Sequence, residues 1–373
     1  MCENNFNIES TFGKARVTSF QTKHGKIQTP IFMPVGTAGT VKAIFPTDLA
    51  DLDFQILLAN TYHLMLRPGE NIIKKLGGIQ KYINWNRPIL TDSGGFQIWS
   101  LSNLSKISEK GIAFSSHVDG KKYFMSPEES ILIQEKLNSD ISMVLDECTE
   151  YPANFERSKK SMEMTLRWAK RCKEVFKKRR GFMLFGIIQG GMHGILRKEC
   201  TEKLLEIGFD GYAIGGLSVG ESHNKMLEVI ESAVPSIPSN KPRYLMGVGR
   251  PVDIIKAVEQ GIDMFDCVLP TRFGRNGRAF TSEGEINLKN AIYALDEKPL
   301  DENVNSHVSQ SYSRSYIHHL IKSNEILSSM ILSLHNIAFY KKMMSDIKKS
   351  IIDNTFEKLK KRYLEKHEKY KKD

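Results

Sequence analysis

Met183-Leu184-Phe185-Gly186-Ile187-Ile188-Gln189 is a short apolar run that ends in an amide. Behind it, Leu196, Cys200, Leu204 and Ile207 recur on one helical face, and a second apolar run, Gly211–Ile214, follows. This strand, helix, strand unit repeats outward in both directions. Runs at Ile31–Val35, Phe54–Ala59, Pro88–Thr91, Ile141–Leu145, Arg243–Met246 and Met264–Val268 bring the number of predicted strands to eight. Met162, Leu166, Ala169, Cys172 and Phe176 mark another helical face between them, and Ser126-Pro127-Glu128-Glu129 carries a cap, a proline at the first helical position and the acid of a capping box. Eight strands alternating with helices over about 240 residues predict an α/β fold, a (β/α)8 TIM barrel. A doubly wound open sheet is the alternative.

The interval from Asp92 to Ile141 must hold an insertion, and Gly111–Phe124, with Asp119-Gly120 inside it, predicts a β-hairpin. After Asn287 the pattern turns helical. We therefore expect a barrel over 1–287, a helical C-terminal subdomain over 288–342 and a basic helix or tail over 343–373.

Composition narrows the class. The chain has 373 residues, 40% hydrophobic and 26% charged, which excludes disordered and fibrous classes. No apolar run approaches the roughly 20 residues of a membrane span, and the start, Met-Cys-Glu-Asn-Asn, is no secretory signal. The five cysteines (Cys2, Cys148, Cys172, Cys200, Cys267) are odd in number and scattered, which suits a reducing compartment and predicts a cytoplasmic protein. The net charge is +10, and Lys341–Asp373 alone contributes +6. That surplus is compatible with a polyanionic partner, and a solvated helix is the plainer reading of the tail.

Barrel enzymes carry their chemistry where strands end. Those ends are Asn60, Asp92, Asp146, Gln189, Gly216, Gly247 and Asp266. Any one of these aspartates could merely cap a loop or helix. Two carboxylates flanking an anomeric carbon can also cleave a glycosidic bond, one as nucleophile and one as acid/base. Glycines beside them, in Asp92-Ser93-Gly94-Gly95 and Gly215-Gly216-Leu217, would let backbone N–H groups approach a planar ligand, or would simply make tight turns.

Thr91-Asp92-Ser93-Gly94-Gly95-Phe96-Gln97, Leu145-Asp146-Glu147-Cys148, Phe185–Gly190, Gly215–Glu221 and Met264–Arg272, in this order, closely resemble the bacterial tRNA-guanine transglycosylases, members of the queuine tRNA-ribosyltransferase family. The resemblance runs from about Gly13 to Lys342. It implies that Asp266 is the nucleophile on the ribose of the wobble guanosine and that Asp92 accepts a proton from the incoming base. It implies a base pocket of Asp92, Ser93, Gly94, Gly95, Phe96, Asp146, Gln189 and Gly216, lined by Leu217 and Met246. RNA-contacting loops would be Gly247, Val248, Gly249, Arg250, Pro251, Val252 and Asp253, and Thr271, Arg272, Phe273, Gly274 and Arg275. The implied base is 7-aminomethyl-7-deazaguanine, exchanged through a covalent aspartyl-RNA intermediate in the anticodon loop of tRNAs with GUN anticodons, those for Asp, Asn, His and Tyr, during queuosine biosynthesis. A homodimer is implied as well. Val219 and Cys148 match the bacterial pattern rather than that of queuine-using relatives, which typically carry glycine at the Val219 position.

The residue chemistry agrees with this pocket. Asp146 suits the N–H donors of a guanine-like edge, Gln189 can donate and accept, and Phe96 offers a stacking face. Three rivals stay open: an archaeal-type relative acting on the tRNA body, a noncatalytic tRNA-binding or partner subunit, and an ordinary barrel glycosidase.

In one respect the sequence departs from the family. The structural zinc of the C-terminal subdomain is normally held by three cysteines and a histidine, and these positions hold Val304, Ser306, Ser309 and His335. Valine cannot ligate, and a serine hydroxyl is a poor zinc ligand beside a thiolate. We therefore expect no cofactor and no metal, with compensating packing along Ile326, Leu327, Met330 and Leu334.

Overall fold

A computed structural model describes residues 6–101 and 105–368; Cys2, the first five residues and the end of the basic tail lie outside them. Eight parallel strands close into a barrel: β1 (Ile31–Gly36), β2 (Leu57–Ala59), β3 (Ile89–Thr91), β4 (Ile141–Met143), β5 (Met183–Ile188), β6 (Gly211–Ile214), β7 (Arg243–Leu245) and β8 (Met264–Cys267). Each pairs with its sequence neighbours, and β8 closes on β1 with Asp266 opposite Met33. The barrel is the fold that the alternation predicts, and the open-sheet alternative falls with its closure.

Local signals act as expected. Ser126 caps the helix Pro127–Leu137 by accepting from the Glu129 N–H at 3.2 Å, while Glu129 accepts from the Ser126 N–H at 3.0 Å. Helix Phe155–Val175 turns Met162, Leu166, Ala169 and Cys172 inward, whereas Phe176 lies just past its end. The insertion holds Gly111–Ser115 paired with Lys122–Met125, and a third strand, Lys106–Ser108, joins them. Two further elements have no counterpart in the sequence reading. They are an antiparallel sheet of Asn7–Phe12, Ala15–Thr22 and Gly25–Thr29, and the hairpin of Arg278–Thr281 with Gly284–Asn287.

The helix Ile326–Ile352 ties the C-terminal region to the barrel. Asn336 donates to the Pro270 carbonyl at 2.9 Å, and the Tyr340 ring packs 4.6 Å from that of Phe32 on β1. The packing differs from expectation. Ile326 is 75% exposed and Leu327 also faces solvent, while Ile331, Leu332, His335, Ile337 and Tyr340 form the buried face together with Leu334. No helix among the described residues is long and apolar enough to cross a membrane.

Candidate active site

The strand ends converge at one mouth of the barrel. Asp92 follows β3 and is almost wholly buried. One of its oxygens accepts from the Thr61 N–H at 2.9 Å and the other from the Asn60 amide, so the start of the helix Thr61–Leu66 that follows β2 orients the carboxylate. Burial raises its pKa to about 6, and the nearby Asp266 carboxylate adds to the rise.

Asp266, near the end of β8, accepts from the Tyr244 hydroxyl at 2.6 Å and from the Gly247 N–H at 2.8 Å. Its surface stays partly open toward the mouth, yet the surrounding protein still raises its pKa; the two hydrogen bonds oppose that rise. Burial and the adjacent carboxylate push the Tyr244 hydroxyl well above its usual value, so the phenol stays protonated as a donor.

Beside this pair lies a polar cluster. Gln189 donates to Asp146 at 2.7 Å, and the Ser93 hydroxyl donates to the other Asp146 oxygen at 3.4 Å. Burial lifts the Asp146 pKa to about 6. The Gln189 side-chain oxygen Oε1 is buried without a hydrogen-bond partner among the described residues, a free acceptor in a pocket otherwise rich in acceptors. Gly216 has φ +63, and a Cβ there would sit 2.5 Å from that oxygen. A side chain at Gly95 would meet the Asp146 carbonyl at 2.9 Å, so both glycines are needed for close packing. Leu217 is buried, Met246 is half-buried, and Phe96 is 46% exposed with its ring beside Trp99.

The two loops beyond Asp266 divide by exposure. Gly247, Arg250, Arg272 and Arg275 face solvent, whereas Val248, Gly249, Pro251, Val252, Thr271 and Gly274 are buried. Asp253 pairs with His223, and the Phe273 ring stacks on Phe280 at 5.2 Å. Tyr244, Thr61 and Glu221 were not singled out by sequence reasoning. Glu221 accepts from the Ser218 and Val219 N–H groups and so holds the backbone just after Gly216 and Leu217.

The family model for queuine tRNA-ribosyltransferase matches residues 11–369. The chain belongs to that family. As a member it is a pentosyltransferase. Relatives that carry the same name include those of Caulobacter vibrioides, 52% identical over 97% of this chain and 98% of the relative, and Rickettsia bellii, 52% identical over 94% and 97%. The Zymomonas mobilis relative is 53% identical over 94% of this chain and 92% of its own length. These coverages span both the barrel and the helical C-terminal region.

The family's zinc positions hold a different arrangement here. Val304, Ser309 and His335 are fully buried and Ser306 nearly so. His335 Nε2 lies 2.8 Å from the Phe280 carbonyl, which can only accept, so Nε2 carries the proton. Nδ1 then accepts from the Ser309 hydroxyl at 2.9 Å. Both ring nitrogens are engaged, one neighbour is a hydrocarbon, and the residues present do not fit a zinc ion.

Proposed function

We propose that this family member acts as a tRNA-guanine transglycosylase of queuosine synthesis, exchanging the wobble guanine of GUN anticodons for 7-aminomethyl-7-deazaguanine. The observation that carries the reading is the pairing of two differently held carboxylates at one barrel mouth, Asp92 raised to about 6 and Asp266 clamped by Tyr244 and Gly247. Asp266 attacks C1′ of the ribose, the C1′–N9 bond breaks, and guanine departs as its N9 takes the proton held by Asp92, leaving a glycosyl ester on Asp266 and an ionised Asp92. The incoming base then loses its N–H proton to Asp92 and attacks C1′, which releases the Asp266 carboxylate. A pKa near 6 lets Asp92 both hold and surrender a proton near neutral pH.

The base sits against Gln189, Asp146 and the Gly216 backbone, with Ser93, Gly94, Gly95, Leu217 and Met246 closing the pocket and Phe96 at its rim. Arg250, Arg272 and Arg275 contact RNA phosphates or flanking bases, while their buried loop neighbours shape the backbone. A flexible anticodon loop makes extrusion of the target base inexpensive. The chain works in the cytoplasm as a homodimer, and its C-terminal subdomain needs no metal, because two of the four zinc positions, Ser309 and His335, are joined by a hydrogen bond that continues to the Phe280 carbonyl, and a third holds Val304.

Incubation with unmodified tRNA and radiolabelled guanine tests the reading. Label enters the tRNA with the parent enzyme; Asp266→Asn abolishes entry while tRNA binding persists. Unchanged exchange by that variant overturns the assignment of the nucleophile.

A further inference from the structure

Arg197 is fully buried, and among the described residues it forms no ion pair with a carboxylate. A desolvated cation is costly, and burial lowers its pKa to about 10. Nη1 and Nε are spent on backbone, while Nη2 is buried without a hydrogen-bond partner among the described residues. Nη1 donates to the Ile188 carbonyl at 2.6 Å and to the Gly215 carbonyl at 2.7 Å, and Nε donates to the Gly191 carbonyl at 3.0 Å.

The position of these carbonyls gives the arrangement its meaning. Ile188 ends β5, Gly215 follows β6, and the next residues are Gln189 and Gly216. The helix Gly194–Ile207 grips the Ile188–Gln189 peptide at both ends, because the Gln189 N–H points to Cys200 Sγ at 3.4 Å while the Ile188 oxygen meets Arg197. In a planar trans peptide, N–H and C=O point in opposite directions. Holding the Gly215 oxygen therefore fixes the direction of the Gly216 N–H on the opposite side of that peptide. One side chain bridges the two neighbouring strand ends and sets the spacing of the groups that follow them.

We propose that Arg197 is a positioning residue for base recognition, locking the Ile188–Gln189 and Gly215–Gly216 peptides so that the Gln189 carboxamide and the Gly216 N–H stand ready for the edge of the planar base. The proposal rests on the base-exchange reading above. A fork of fixed geometry suits this task, since it reaches three carbonyls at once.

Steady-state guanine exchange, with guanine and tRNA varied separately, tests it. Arg197→Met removes the fork at similar volume, and it raises KM for guanine at least tenfold while KM for tRNA stays within twofold. Arg197→Lys, which can still reach one or two of the carbonyls, recovers part of that loss. A purely structural arginine would lower the active fraction and the melting temperature and leave both KM values in place. A guanine KM within twofold of the parent in folded Arg197→Met overturns the proposal. Should Arg197→Met fail to fold, an unchanged guanine KM in Arg197→Lys overturns it equally and a raised one supports it. Exchange by the parent enzyme stands as the separate check: its absence would defeat the base-exchange reading, whatever the variants do.

Discussion

Tyr244 and Asp266 lie on adjacent strands, β7 and β8, and the tyrosine hydroxyl reaches the carboxylate at 2.6 Å. The bond holds one Asp266 oxygen in place, together with the Gly247 N–H, and favours the ionised form that a nucleophile needs. Removing one hydrogen bond to a charged group costs about 1.5–3 kcal/mol. Tyr244→Phe therefore lowers kcat for guanine exchange about 10- to 100-fold by that same range. It also removes a contact that depresses the Asp266 pKa, so the acid limb of the kcat/KM profile moves to higher pH. A variant profile that overlays the parent's would show that Tyr244 does not hold the nucleophile.

Asp146 links the site to stability. Its carboxyl titrates at about 6 in the folded chain, against about 3.9 unfolded. Between those values the folded protein binds more protons than the unfolded one, so this group's contribution falls as pH rises from about 4 to about 6. Above that window it costs up to about 3 kcal/mol. Asp146→Asn fits its neighbours, because the Ser93 hydroxyl can turn to accept and Gln189 can still donate to the remaining oxygen. The variant melts higher than the parent at pH 8 and equally at pH 4, and it loses guanine exchange. Calorimetry showing no gain at pH 8 would contradict the burial argument.

These two sites also show what a single sequence can disclose. The barrel was readable because each strand is a short apolar run buried on both faces and followed by a helical stripe, as in Met183–Ile188 and the Leu196, Cys200, Leu204 face. The strand-end carboxylates were readable because polar residues interrupt those runs at the same place each time. Tyr244 was hidden inside such a run, where its ring reads as core and only the fold brings its hydroxyl to Asp266. Arg197 looked like one more helical cation, since nothing in Leu196-Arg197-Lys198 distinguishes the buried side chain from its exposed neighbour. The strand Asn7–Phe12 escaped notice because it is mostly exposed and polar, and its pairing depends on Ala15–Thr22 rather than on its own pattern.

The C-terminal relay yields a prediction about metal. With His335 donating to the Phe280 carbonyl and accepting from Ser309, the buried histidine is satisfied without an ion. Protein purified without added zinc should hold far less than one zinc per chain, and a strong chelator should leave its melting temperature unchanged. Ser309→Ala strands Nδ1 in the core and costs about 1–3 kcal/mol, which added zinc does not restore. One tightly held zinc per chain in elemental analysis would refute the metal-free subdomain.

The basic tail can be judged by where its charges go. Helix Phe356–His367 buries Phe356, Leu359 and Tyr363, with the Phe356 ring 6.1 Å from that of Phe12. It lies along the helix Pro251–Glu259, where Lys360 meets Glu259 at 2.5 Å, while Arg362 reaches Asp346 at 3.6 Å and Lys366 pairs with Glu283. Cations already facing carboxylates project little field toward a distant polyanion, and exposed pairs of this kind add little stability. These three cations are thus spent within the protein and the helix packs its apolar face behind the loop that carries Arg250, while Lys358 and Lys361 stay exposed. Phe356→Ala should cost about 3–5 kcal/mol, the usual range for emptying a buried aromatic site. Replacing Lys360, Arg362 and Lys366 together by glutamine should leave the slope of log binding constant against log salt unchanged for tRNA, because those residues release no counterions from it. A slope reduced by one ion or more in the triple variant would show instead that the helix reaches the RNA through its charges.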